Sequence, residues 1–326
     1  MMGLKNPGDW RTLLWAVLGP SFIVLQYMHP ELVKYLFWIS CYFALSFGVI
    51  AHNHNHVPTF KNKAANDWFG NWLSIFYGYP TFAWIPTHNL NHHRYVNTAG
   101  DATITWRFTN RHRIDVAATY FFVSSYYQGD LIKEFIRKAK ANNPKLYVKI
   151  LSQYAVWLGA HAIMLALAIA LHGVSTGLYV WGLTMGLPAF FALWTIMLFN
   201  YDQHVHADPW SQNHSRSWSS RILNFWLFNN GYHAAHHERP GEHWTNLRQV
   251  HMDIEGKIDP ALKEVSLFWY WTREYLLAPF FPSLGSKQLG PGPMNDPRGA
   301  RKEGLAAADI ELGEAGSNSD NFVRLT

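Results

Sequence analysis

Leu178-Tyr-Val-Trp-Gly-Leu-Thr-Met-Gly-Leu-Pro-Ala-Phe-Phe-Ala-Leu-Trp-Thr-Ile-Met-Leu-Phe199 carries no charge, and it runs directly into Asn200-Tyr-Asp-Gln-His204-Val-His206. The first part reads as a membrane span and the second as metal-binding side chains at its end. A helix rises about 1.5 Å per residue, so about 20 apolar residues cover the roughly 30 Å hydrocarbon core of a bilayer. Working outward, Ile150–Leu171 is a second stretch of this kind, joined to the first by His172-Gly-Val-Ser-Thr-Gly177. Nearer the N-terminus, Thr12–Met28 and Leu32–Ala51 are joined by His29-Pro30-Glu31, a helix-breaking corner. The pattern predicts an all-α integral membrane protein with four transmembrane helices as two hairpins.

Composition agrees with a membrane chain. Of 326 residues, 49% are apolar and 15% charged, where an average soluble domain has roughly 25% charged. These values exclude a disordered chain, a collagen and a coiled coil. A single cysteine, Cys41, excludes a disulfide scaffold or a cysteine-bound metal cluster within the chain. The net charge of +5 could suggest a nucleic-acid partner, but its placement argues against one. Residues 57–147 hold 11 Lys and Arg and residues 201–326 hold 12, in blocks separated by bare apolar stretches. Such blocks are typical of cytoplasmic loops, which places both termini and residues 57–147 in the cytoplasm of a multi-pass protein. No cleavable signal peptide is expected.

Trp68–Pro86 is aromatic but interrupted by Gly70, Gly78 and Pro80, and reads as interfacial rather than spanning. Ile114–Tyr127 and Val265–Phe281 read the same way. Residues 1–282 are expected to form one membrane domain with its cap. Residues 283–326, rich in Gly, Pro, Asn, Asp and Ser, are expected to be a disordered tail.

Most of the 18 histidines fall in four short clusters. They are His52-Asn-His-Asn-His56, His88-Asn-Leu-Asn-His92-His93, the His204 region quoted above, and His233-Ala-Ala-His236-His237. Residues three or four apart share a helix face, so these spacings converge two or three imidazoles each. Imidazole suits iron, zinc, copper and nickel. Nine histidines (His52, His56, His88, His92, His93, His204, His233, His236 and His237) are too many for one metal and about right for two. All four clusters lie on one membrane face if Trp68–Pro86 does not cross. Lone histidines such as His29, His112, His172, His214 and His251 read as solvated or hydrogen-bonded bystanders.

At these residues the chain resembles the membrane-bound fatty acid desaturase superfamily, which also contains hydroxylases and ketolases. The three histidine boxes match His52–His56, His88–His93 and His233–His237, and the NxxxH that follows the fourth span matches Asn200 and His204. The run His92-His93-Arg94-Tyr-Val-Asn97-Thr98-Ala-Gly-Asp101 is similar to the desaturase HHRxxNTxxD pattern. The resemblance spans roughly residues 30–260. It implies two iron ions held by the nine histidines, with Asn200 acting through a water and O2 as co-substrate. It also implies four membrane helices beneath a cytoplasmic helical cap, with an acyl chain in a tunnel under the metals. Asp101, and more weakly Asp202 and Glu238, are candidates to orient box histidines from behind.

The first box has HxxxH where many desaturases have HxxxxH, and His237-Glu-Arg-Pro240-Gly-Glu-His243-Trp244 resembles a run found in some hydroxylases and ketolases. The implied reaction is double-bond insertion in a fatty acyl chain. The alternative is hydroxylation, ketolation or decarboxylation of a fatty acid, alkane or carotenoid. The chain has no GxGxxG opening a helix and no cytochrome b5-like HPGG. Electrons are therefore expected from a separate ferredoxin- or cytochrome b5-type donor with its reductase, for which Lys133, Arg137, Lys138 and Lys140 could form a docking face. A transporter would carry its ligands at mid-bilayer, and a haem protein would need facing histidines inside spans. Neither fits the placement of the paired histidines.

Overall fold

The computed structural model describes residues 3–295. They are mostly helical and divide into two compact units, one of residues 3–84 and Lys138–Ile196, the other of Ile85–Arg137 and residues 197–295. Most of the long apolar helices gather in the first, and the short turns that carry most of the histidines gather in the second.

In the first unit, α1 (Trp10–Met28) ends where His29 leaves helical geometry, and Pro30–Leu32 forms a single 3-10 turn before α2 (Val33–His56). α3 (Lys63–Tyr77) starts at Asn62, whose side chain accepts from the Ala65 amide, and ends at Gly78 with φ of 85°. Its 15 residues span about 22 Å, short of a bilayer core. The Cβ of any other residue at Gly78 would lie 2.2 Å from the Ala189 Cβ. Gly78 therefore serves both a left-handed backbone and a close approach.

Among the described residues, two stretches are long and apolar enough to cross a membrane, Pro30–His56 and Pro144–His204. A straight helix of the second one's 61 residues would be about 90 Å long. It is not straight. Gly173 has φ of 77° and ψ of 170°, and a Cβ at Gly177 would meet the backbone of Ile169 at 2.6 Å. The Trp181 and His161 rings lie 6.1 Å apart, where 20 residues of unbroken helix would separate them by about 30 Å. α6 (Pro144–Trp181) is therefore two helices folded back at Gly173, and the chain continues through a π-helical turn, Gly182–Gly186, into α7 (Leu187–His204). Ile23, Tyr27, Val33, Ala168, Val180 and Met185 form a buried apolar cluster among these helices. His161 donates to the Ile75 carbonyl, which satisfies its polar edge within the apolar bundle.

The second unit has less regular backbone. A π-helical segment, Ile85–His92, leads into the short α4 (His93–Tyr95), and α5 (Ile114–Asn142) continues into the first unit. The remaining elements are α8 (Arg221–Trp226), α9 (His233–Glu238), α10 (Leu247–Ile254) and α11 (Leu267–Trp271). Ser217–Trp218 pairs in parallel with Lys263–Glu264. Residues 286–289, expected to be disordered, are held in place. The Ser286 amide donates to the Glu274 carboxylate, Gln288 Nε2 to the Ala207 carbonyl and the Leu289 amide to the His206 carbonyl. These bonds tie residues 286–289 to the unit, and the tail from 296 lies outside the described residues.

Candidate metal centre

Four buried or half-buried histidines of the second unit, His92, His204, His233 and His237, place their ring nitrogens within 4.8 Å of one another. His92 ends the π-helical segment, His204 ends α7, and His233 and His237 sit one turn apart on α9. The Nε2 of His204 lies 3.1 Å from that of His92 and 2.9 Å from that of His233, and His237 Nε2 lies 3.1 Å from His233 Nε2. A second group lies in the same unit. His93 Nε2 is 3.0 Å from both His88 Nε2 and His236 Nε2, which are 3.4 Å from each other. In the first unit, His52 and His56 share a face at the end of α2 with ring centroids 4.8 Å apart.

The hydrogen bonds behind the rings decide what the facing nitrogens are. His92 Nδ1 donates to Asp101 Oδ2 at 2.7 Å, and His204 Nδ1 donates to the His214 carbonyl at 3.0 Å. A carboxylate and a carbonyl can only accept, so Nδ1 carries a proton in both rings, and in the tautomer that binds a metal each Nε2 presents its lone pair. Burial alone would raise the Asp101 carboxyl. The charge and hydrogen bond of His92, with bonds from Thr103 and the Asn97 amide, outweigh it and hold the carboxyl down to about 2. Burial, and then the neighbouring His93, His233, His204 and His92, push His237 well below the usual histidine range and keep it neutral.

Two lone pairs facing each other at 3.1 Å repel unless a cation lies between them. Imidazole nitrogens bound at about 2.1 Å to one first-row metal stand roughly 3.0–3.4 Å apart in octahedral or tetrahedral arrangement. The observed separations of 2.9–3.4 Å match that requirement, and neutral nitrogen donors suit iron.

A frame of hydrogen bonds holds these ligands. After α4 the chain turns sharply at Val96 and Asn97, both with positive φ. Asn97 is bound at every polar atom: its amide donates to Asp101 Oδ2, its Nδ2 to the His204 carbonyl, its Oδ1 accepts from the amide and hydroxyl of Thr105, and its carbonyl accepts from Trp106 Nε1. Asp101 Oδ1 accepts from both the amide and the hydroxyl of Thr103, so this residue makes a local turn and also orients His92.

The other candidates lie elsewhere. Asn200, one turn before His204, donates from Nδ2 to the Tyr120 hydroxyl at 2.8 Å. Asp202 is turned to His112 at 3.5 Å, to Trp271 Nε1 at 2.7 Å and to the Tyr275 hydroxyl. It orients none of the box histidines, because its side chain leaves α7 on a different face from His204. Glu238 is exposed at the end of α9. His112 is no solvated bystander, since it is buried between Asp202 and Glu274 at 3.5 and 3.3 Å. Burial would lower its pKa, but the hydrogen bonds and charges of the two carboxylates raise it. Sequence reading passed over Thr103, Tyr120 and the His214 carbonyl. Asn97 stood inside the quoted pattern, whereas Tyr120 gave no signal beyond its place on an amphipathic helix.

Searches against curated proteins and against solved structures return no match. A family model described as fatty acid desaturase matches residues 30–272, well over half of the chain. With that match and two histidine groups able to hold metal, the chain belongs to the fatty acid desaturase family, and its family chemistry is that of an oxidoreductase.

Proposed function

We propose that the chain is a membrane-bound di-iron enzyme that uses O2 to oxidise an unactivated C–H of a fatty acyl chain by inserting a double bond. The observation that carries the reading is the pair of facing Nε2 atoms of His92 and His204, 3.1 Å apart, whose Nδ1 atoms are bonded to acceptors elsewhere. His92, His204, His233 and His237 would hold one iron, and His88, His93 and His236 part of the other. On the family pattern His52 and His56 complete the second set, and Asn200 acts through a water. When bound, the irons supply the oxidising power needed to take hydrogen from a CH2 group.

The chain's own residues do the rest. Asp101 and the His214 carbonyl hold the Nδ1 protons of His92 and His204 and so aim each Nε2 at the site. The apolar helices of the first unit offer an acyl chain a water-poor environment, which favours selective chemistry on an alkyl carbon. Overall, two hydrogens leave adjacent carbons and O2 becomes two waters. The two further electrons, with their protons, come from a separate ferredoxin- or cytochrome b5-type donor. Of the basic residues considered for docking it, Lys133 and Arg137 already face Asp130 and Glu134 along α5.

Four spans in two hairpins, with the termini and boxes on the cytoplasmic side, fit the apolar residues left outward on α6. Leu158, Ile163, Leu167, Leu171 and Val174 are all exposed, a face that lipid would cover and water would not. The HxxxH of the first box and the run from His237 to Trp244 favour one second reading, a hydroxylase, ketolase or decarboxylase of the same family.

Expression in a heterologous host, with fatty acids and hydrocarbons profiled by gas chromatography–mass spectrometry against a His236→Ala control, tests the proposal. Products lacking two hydrogens are expected. Products gaining an oxygen, or a terminal alkene one carbon shorter, would move the assignment to the second reading. Carotenoids are the next substrates to profile if fatty acids are unchanged.

A further inference from the structure

The hydrogen bonds around the histidines lead to a tyrosine outside every box. Tyr120 lies on α5, and its side chain is buried. Its hydroxyl donates to the Thr103 carbonyl and accepts from Asn200 Nδ2 at 2.8 Å. Thr103 in turn donates to Asp101, and Asp101 accepts from His92. One string of hydrogen bonds thus links Asn200, through Tyr120, Thr103 and Asp101, to His92.

The direction of the string is forced. A backbone carbonyl only accepts, so the single phenol proton is committed to Thr103. The phenol oxygen then presents an acceptor to Asn200, and an amide facing an acceptor must turn its NH2 toward it. Oδ1 is the end left over. Asn200 and His204 stand four residues apart on α7, so their side chains share a face.

We propose that Tyr120 is a positioning residue that fixes which end of the Asn200 amide meets the metal-bound water. With the NH2 held by the phenol, Oδ1 accepts a proton-bearing bond from that water. An amide turned the other way would offer N–H to an oxygen whose lone pair is already engaged by metal, and would leave the water's protons unheld. The inference rests on the di-metal reading above. It assigns the reactive orientation of a box residue to a side chain the boxes do not contain.

The test uses the full chain loaded with 57Fe, comparing wild type, Tyr120→Phe, Asn200→Ala and the double variant by iron content, Mössbauer spectrum and turnover. Tyr126→Phe, at an exposed site, is the control. Tyr120→Phe is expected to keep the wild-type iron content, alter the quadrupole doublet of one iron and lower turnover by roughly 10–100-fold. Added to Asn200→Ala, it should change neither the spectrum nor turnover further, because it acts through that amide. A wild-type spectrum and turnover in Tyr120→Phe would overturn the proposal. So would an effect of equal size in the Asn200→Ala background, or a Phe variant that fails to accumulate, since either assigns Tyr120 to folding. A wild-type chain that takes up no iron would instead overturn the di-metal reading itself.

Discussion

In the unit of residues 3–84 and 138–196, helices meet through apolar side chains and close glycine approaches, and buried polar groups satisfy one another locally, as Gln26 does with Ser40. In the unit of residues 85–137 and 197–295, the backbone bends through short turns, and shape comes from side chains bound to backbone, as around Asn97 and Asp101. The first kind of packing asks for volume and apolarity, which many residues supply. The second asks for a particular donor or acceptor at a particular atom, and a near-isosteric change can break it.

The largest expected contrast is in activity. His92→Ala removes a ligand from the polar unit and should reduce turnover to background, whereas His29→Ala, at an exposed site, should leave turnover near wild type. Product assays on membranes from the two variants measure this directly, and retained turnover in His92→Ala would contradict the site. Asp101→Asn keeps the size of the side chain but can donate to His92 Nδ1, which drives the proton to Nε2 and spoils the ligand. A roughly 10–100-fold loss in iron affinity or turnover is expected, read by iron titration. If the variant binds iron like the wild type, Asp101 does no more than close its local turn.

The apolar unit answers to volume instead. Gly78→Ala places a Cβ against Ala189 on a left-handed backbone and should cost about 2–4 kcal/mol, seen in thermal unfolding in detergent.

A subtler effect concerns His112. Its pKa is raised by Asp202 and Glu274, so its stabilisation is complete below the unfolded value near 6.5 and is lost as pH rises through the raised folded value. Glu274 is held down to about 2: burial would raise it, but the His112 hydrogen bond and charge, the Ser286 amide and Arg273 outweigh that. Its contribution is present above the ordinary glutamate value of 4.5 and is lost as pH falls toward 2. The unfolding temperature of the wild type should therefore decline on the alkaline side, and His112→Gln should flatten that decline. At pH 6 the same variant should be less stable by about 1–3 kcal/mol. Parallel curves for the two proteins would mean that His112 is neutral when folded.

The sequence disclosed the apolar helices because a 22-residue uncharged run such as Leu178–Phe199 has few other uses. The corner at Gly173 was legible from His172-Gly-Val-Ser-Thr-Gly177, since glycine there permits the reversal. The histidine groups were legible from spacing, because i, i+3 and i+4 fix which rings share a face on α9. What spacing could not give was the partner behind each ring. Asp202 and Asp101 look alike as neighbours of boxes, yet one turns to His112 and the other to His92. That choice depends on where residues far along the chain fold back. Asp202 meets Trp271 and Tyr275 from α11 and the turn after it, and nothing near Asp202 announces them. Tyr120 was hidden for the same reason.

The central claim is that the chain holds a pair of metals in its histidine set. Iron quantified in purified wild type and in the His92→Ala, His236→Ala double variant tests it most directly, since each substitution strikes a different group. The account predicts two irons per wild-type chain and near-complete loss in the double variant, with both proteins equally soluble in detergent. Equal iron content in the two proteins would contradict it.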